Sequence, residues 1–175
     1  MSESVEVRDK FMSQNIIWLM ENLQKNGKGI FAAHNYHISK ANFKFPQDLY
    51  KKTSCGYYLQ EKLDDRYFAI CTDFASGTTR AREKRGSIKE VQIAEKLNNL
   101  SHQWFEKKTT DFFVNIRAIR PSEKTGLNED FLFNDLGSTY RGANHTQASY
   151  NLIKQFDGYL YFQQITASQK PKLNF

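Results

Sequence analysis

From Val7 to about Lys25, Met12, Ile16, Leu19 and Leu23 recur at spacings of four, three and four. That rhythm predicts a helix with one apolar stripe. Asn26-Gly27-Lys28-Gly29 marks its end, with glycine just past the last turn. Asp9 falls in what this reading makes the first turn, where a negative charge suits the helix dipole. Arg8, Met12 and Asn15 share a face, so Arg8 and Asn15 border the stripe as polar groups. The next apolar run, Gly29 to Ala33, is short and continuous and predicts a buried strand over 29–34. Residues 38–52 show no period and contain Pro46. They predict a covering loop carrying Phe43, Phe45 and Tyr50. Thr53 or Ser54 can cap a helix that runs to about Leu63. Asp64-Asp65 then turn into a second continuous run, Tyr67 to Asp73, read as a second buried strand.

This alternation predicts an α/β fold with a mostly parallel sheet and crossover helices. Further on, residues 75–90 are rich in charge and glycine and predict a solvated loop. Ser87 to about Lys107 reads as helical in pieces. Asp111 to Ile119 alternates and predicts a third strand, followed by a turn-rich link over 121–130. Asn134 to Asn144 is irregular. Gln147 to Phe156 reads as a short helix, and Asp157-Gly158 turns into a final strand, Tyr159 to Ile165. There is no internal repeat. The chain reads as one domain over 1–175 with a polar tail at 166–175.

Composition changes this picture little. The apolar share, 39%, is low, but fourteen Phe and nine Tyr among 175 residues argue for a packed core rather than a disordered chain. The formal charge is +6, with the basic residues scattered. Nucleic-acid binding needs them gathered on one face, so no nucleic-acid partner is expected. Cys55 and Cys71 stand sixteen apart without a CxxC, which excludes a zinc site made of cysteine pairs and speaks against a disulfide framework. No stretch is long and apolar enough for a membrane span, so no membrane partner is expected. MSESVEVRDK carries no signal-peptide pattern, which gives a cytoplasmic expectation.

The chemistry is concentrated at His34-Asn35-Tyr36-His37. In a strand an odd spacing sends two side chains to opposite faces. In one helical turn a separation of three brings them together. The strand is therefore expected to end at a corner presenting both imidazoles, and α/β sheets bind ligands outside the carboxyl ends of their strands. Three readings are open. The histidines can be acid–base machinery, since imidazole titrates near neutrality. They can be half of a metal site, with Asp73 as a candidate third ligand. They can also be simply hydrogen-bonded in a loop. Asn35 is placed to orient an imidazole or a substrate carbonyl. There is no G-x-S-x-G elbow and no phosphate-binding glycine loop.

Several pieces together resemble the erythromycin esterase family. They are Arg8-Asp9-x-x-Met12-x-x-Asn15, Ala33-His34-Asn35-x-His37, Thr53-Ser54-Cys55-Gly56-x-x-Leu59, Tyr67-Phe68-Ala69-Ile70 leading to Phe74-x-x-Gly77, and Phe156-Asp157-Gly158-Tyr159. The order is right across most of the chain, and His-Asn-x-His is the specific element. Cys55 stands where the family usually has methionine, and Ala32 where it often has tryptophan.

The resemblance implies a hydrolase that opens ester or macrolactone bonds, as in macrolide resistance, by attack of water and without a serine nucleophile or a cofactor. It implies a small-molecule ester as partner, His34 and His37 as the catalytic histidines, and Arg8, Asp9 and Asn35 as binding or supporting residues. Arg8 is expected to hold a carboxylate of the site and Asp9 to fix the loop. The family domain is about twice this length. The chain is therefore expected to correspond to its C-terminal half, lacking an upstream glutamate and histidine that activate the water. On that expectation an uncovered sheet edge favours self-association. A non-catalytic, ligand-binding module of the same fold is the alternative.

Overall fold

The first helix, α1 (Ser2–Asn22), is longer than its apolar pattern foretells and is turned differently. In this computed structural model, which describes residues 2–23, 27–42, 53–83, 86–95, 110–123, 125–137, 139–142 and 146–169, the buried positions of α1 are Asp9 and Ser13. Leu19 and Leu23 of the expected stripe are exposed, and Met12 and Ile16 are half-buried. Asp9 therefore lies well inside the helix, not in its first turn. The inward line is marked by polar residues that a hydropathy pattern cannot pick out.

No strand forms at 29–34. Gly27–His34 is irregular, and Ile30 is 99% exposed. A short apolar run cannot be told from an unpaired segment by periodicity alone. The corner that follows does curl. His34 is extended and caps a one-turn helix, α2 (Asn35–Ile38), and His37 N–H donates to the His34 carbonyl at 2.8 Å. The aromatic residues expected to cover this corner, Phe43, Phe45 and Tyr50, lie outside the described residues. Helix α3 (Cys55–Leu63) matches its sequence signal, with Ser54 as N-cap accepting from Tyr57 N–H at 3.1 Å.

The sheet holds an antiparallel pair, β-hairpin in form, as well as a parallel one. Strand β1 (Ile70–Glu83) runs far past Asp73 and folds back directly on β2 (Ile88–Ile93) as an antiparallel hairpin, pairing Gly77 with Ile93 through Arg82 with Ile88. The supposed solvated loop at 75–90 is thus mostly strand, and its charges alternate with buried Ala75 and Ala81. Residues 88–93 are strand rather than helix, and 96–109 lie outside the described residues. Strands β3 (Phe112–Asn115), β4 (Asp130–Asn134), β5 (Thr139–Tyr140), β6 (Gln147–Asn151) and β7 (Gly158–Ile165) follow. The larger sheet has the order β2-β1-β7-β3, with β5 parallel to β1, and β4 pairs with β6 separately. The region read as a short helix at 147–156 is β6 followed by one turn, α4 (Leu152–Gln155). The fold is mixed α/β.

Two compact units are distinguished. The first holds Met1–Cys71, Val114–Glu129 and Asn151–Tyr159. Its α1 and α2 pack on α3, and Gly56 makes the second contact possible: a Cβ there would sit 2.3 Å from the Ile38 carbonyl carbon and oxygen. Asp157 ties its last segment in. The carboxylate accepts from Ala69 N–H at 2.8 Å and Arg117 Nε at 2.7 Å, and pairs with Lys40 Nζ. Burial alone pushes the Asp157 carboxyl up, but the bonds from Arg117 and Lys40 outweigh it and hold it below the ordinary carboxylate range.

The second unit holds Thr72–Phe113, Asp130–Tyr150 and Leu160–Phe175. Ala81, Val91 and Ile93 form an apolar cluster flanked by Phe74, Leu136 and Tyr140. Asp73 is buried, and its Oδ1 accepts from Phe74 N–H and Asn134 N–H, both at 2.8 Å. Gly77, at φ +130, passes so close to Ile165 that a Cβ would lie 2.0 Å from its carbonyl oxygen.

Candidate active site

The first unit gathers three elements, α1, α2 and α3, around one carboxylate. Asp9 is fully buried on the inward face of α1. Its Oδ2 lies 2.8 Å from His37 Nδ1 and accepts from Cys55 N–H at 3.0 Å. Cys55 N–H is a first-turn amide of α3, so the dipole that Asp9 complements is that of α3, not of its own helix. Its Oδ1 makes no hydrogen bond among the described residues and faces Arg8 Nε at 3.8 Å. Ser54, besides capping α3, donates from Oγ to the Ser39 carbonyl at 2.6 Å and so fixes the end of α2 against the start of α3. Tyr67 Oη donates to the Ile38 carbonyl at 2.7 Å, and burial pushes its phenol well up.

The other imidazole nitrogen, His37 Nε2, lies 3.0 Å from Arg8 Nη2. A guanidinium only donates, so Nε2 is the acceptor and the ring proton sits on Nδ1, toward Asp9. His37 is thus oriented by a buried carboxylate and presents a lone pair on its outward nitrogen. The Arg8 side chain is 57% exposed, so solvent reaches the guanidinium. His34 is held differently: its Nδ1 accepts from Tyr36 N–H at 3.4 Å, which leaves Nε2 to carry the proton. Asn35, the first residue of α2, is buried.

Arg8, Asp9, His34, Asn35 and His37 therefore all lie within the first unit, with direct contacts among Arg8, Asp9 and His37. Sequence reasoning missed the part played by the 54–56 segment. The signal was there in Ser54-Cys55-Gly56: a cap, an amide at a helix start, and a glycine where two backbones meet. Among the described residues no group of three or more His, Cys, Asp or Glu side chains is placed to hold a metal ion. Asp73, the candidate third ligand, is in the second unit and bonds to Phe74 and Asn134. No described helix is long and apolar enough to cross a membrane.

The sequence pattern of the erythromycin esterase family matches residues 1–165. The chain belongs to that family. It is 24% identical over 164 residues to a protein of Bacillus subtilis (strain 168) named "Putative hydrolase YbfO", covering 93% of this chain and 35% of the relative. Two solved structures share the fold. One, a succinoglycan biosynthesis protein, superposes with a TM-score of 0.75 at 18% identity over 93% of this chain and 39% of its own. The other, from Bacillus cereus, gives 0.73 at 25% identity over 90% and 38%. The chain spans about a third of the curated relative it matches and under two fifths of these structures.

Proposed function

We propose that the chain is a hydrolase of ester or macrolactone bonds and that His37 is its base. The observation that carries this is the Arg8–His37–Asp9 array, with Nδ1 2.8 Å from a fully buried carboxylate and Nε2 3.0 Å from the exposed Arg8 guanidinium. As an ester arrives, Arg8 turns from Nε2 to the carbonyl oxygen. The bared Nε2 takes a proton from water, and the hydroxide adds to the carbonyl carbon. Arg8 stabilises the charge that develops on the oxygen, and Asp9 stabilises the imidazolium. Collapse expels the alkoxide, which takes the proton from the His37 imidazolium and so restores the neutral base. Asn35 supports the turn that presents both rings.

The test is hydrolysis of nitrophenyl esters and of a macrolactone by the purified chain. Hydrolysis above buffer is expected, falling at least about 100-fold in His37→Ala. Equal rates in the two proteins would overturn the assignment. A second reading, a ligand-binding module without turnover, is favoured by the Arg8 contact that occupies His37 Nε2, the nitrogen a base would use. It predicts a ligand-induced rise in melting temperature, unchanged in His34→Ala, with no hydrolysis.

A further inference from the structure

Near its C-terminal end, β1 sets two arginines side by side on the face away from the apolar cluster. Side chains alternate along a strand, so Ala81 and Glu83 point to one side and Arg80 and Arg82 to the other. The side of Ala81 is the packed one: Ala81 clusters with Val91 and Ile93, and Glu83 is paired with Lys89 at 2.9 Å. On the other side Arg82 stands between two neighbouring strands, opposite Ile88 of β2 and Thr139 of β5, and Arg80 stands opposite Glu90. Arg80, Ala81, Arg82, Ile88 and Thr139 line an open cleft of about 360 Å³, all within the second unit. Among the described residues neither guanidinium makes a hydrogen bond or an ion pair, with Glu90 or with any other group. Arg80 is half-buried, and a partly desolvated cation without a counter-charge is unfavourable.

We propose that this cleft binds the phosphoryl dianion of a small ligand, gripped by Arg80 and Arg82. Two residues apart on a strand, their Cα atoms stand about 7 Å from each other, so two long side chains can converge on one tetrahedral group. Each planar guanidinium can give two parallel N–H bonds to phosphate oxygens, and two positive charges match a dianion. A carboxylate offers two oxygens and one charge, enough for one guanidinium only. Thr139 adds a hydroxyl on the wall made by β5. Ile88, 54% exposed, adds an apolar surface, so a phosphomonoester with an apolar substituent gains over the free ion. Glu90 repels the anion and limits its affinity. The site shares no residue with the Arg8–His37–Asp9 array and stands without the hydrolase reading.

The experiment is an NMR titration of the isotope-labelled full chain at low salt in mildly alkaline buffer, with inorganic phosphate, phenyl phosphate and benzoate as ligands. Both phosphates are expected to shift the amides of Arg80, Arg82 and Thr139 with a Kd of about 1 mM or below. Arg80→Gln and Arg82→Gln should each weaken binding at least about tenfold, and Glu90→Gln should tighten it about threefold. Benzoate is expected to bind at least about tenfold more weakly than phenyl phosphate. Phenyl phosphate at least about threefold tighter than the free ion, with Ile88→Ser erasing the gain, assigns the cleft to a phosphomonoester; equal binding assigns it to inorganic phosphate. The same spectra report whether each variant is folded. No binding of either phosphate at about 10 mM would overturn the proposal. Binding unmoved by both arginine changes, binding no tighter in Glu90→Gln, or benzoate equal to phenyl phosphate would overturn it too.

Discussion

Replacing Asp157 by asparagine should cost about 3 kcal/mol of stability. The side chain is almost fully buried and serves three donors from three separate segments: Ala69 N–H, Arg117 and Lys40. Asparagine keeps the shape and can still accept from Ala69 N–H. It loses the charge on which Arg117 Nε, at 2.7 Å, and Lys40 Nζ converge. Removing one partner of a fully buried ion pair costs about 3–5 kcal/mol. Here the cations reach water, with side-chain exposures of 34% for Arg117 and 16% for Lys40, so the lower end applies. The assay is urea unfolding followed by circular dichroism, with the slope unchanged so that the midpoint shift reports stability. The pH dependence has a definite sign. The folded carboxyl titrates below its unfolded value, so its contribution is complete above the unfolded value and disappears as pH falls through the folded one. The gap between wild type and variant should therefore close in acid. A loss under about 1 kcal/mol at neutral pH, or a gap that widens in acid, would refute this account of Asp157.

Other consequences follow from single contacts. Gly56→Ala should destabilise by about 3 kcal/mol or more in urea unfolding, because the new methyl meets the Ile38 and Ser39 backbone, which cannot step aside as a side chain would. Gly77→Ala should cost a similar amount, since it adds a left-handed φ to a clash with Ile165. Cys55 is buried, and desolvation with the nearby Asp9 charge pushes its thiol up to about 12, so a thiol reagent should label neither cysteine until the chain unfolds. Asp9→Asn should lower any ester hydrolysis at least about tenfold, because an amide no longer stabilises the imidazolium; an unchanged rate would remove Asp9 from the reaction.

Local signals were the legible part of the fold. Ser54 before Cys55-Gly56 announces α3, Asp157-Gly158 announces β7, and the i, i+3 histidines announce a tight corner, which α2 supplies. Where the sequence misled, the cause was a polar residue on an inward face or an apolar one facing out. Asp9 and Ser13 are the buried line of α1, while Phe11 and Trp18 face solvent, so hydropathy points the helix the wrong way. In β1 and β2, Arg80, Arg82 and Lys89 sit on strands that alternate with small buried residues, and the charge density hid the hairpin. Ile30 shows the converse, since an apolar run without partners is no strand. Of the site, the residue types were legible, but the bond from Asp9 to His37 spans 28 positions and joins two elements whose packing depends on Gly56.

The measurement that bears most directly on His37 as an Asp9-held base is the position of its ring proton. Long-range proton–nitrogen correlation on the histidine-labelled chain reads it in the neutral ring. The structure requires a proton on Nδ1 and a bare Nε2, with that preference lost in Asp9→Asn. A proton on Nε2 in the wild-type protein would contradict the arrangement with Arg8 and, with it, the base assigned to this site.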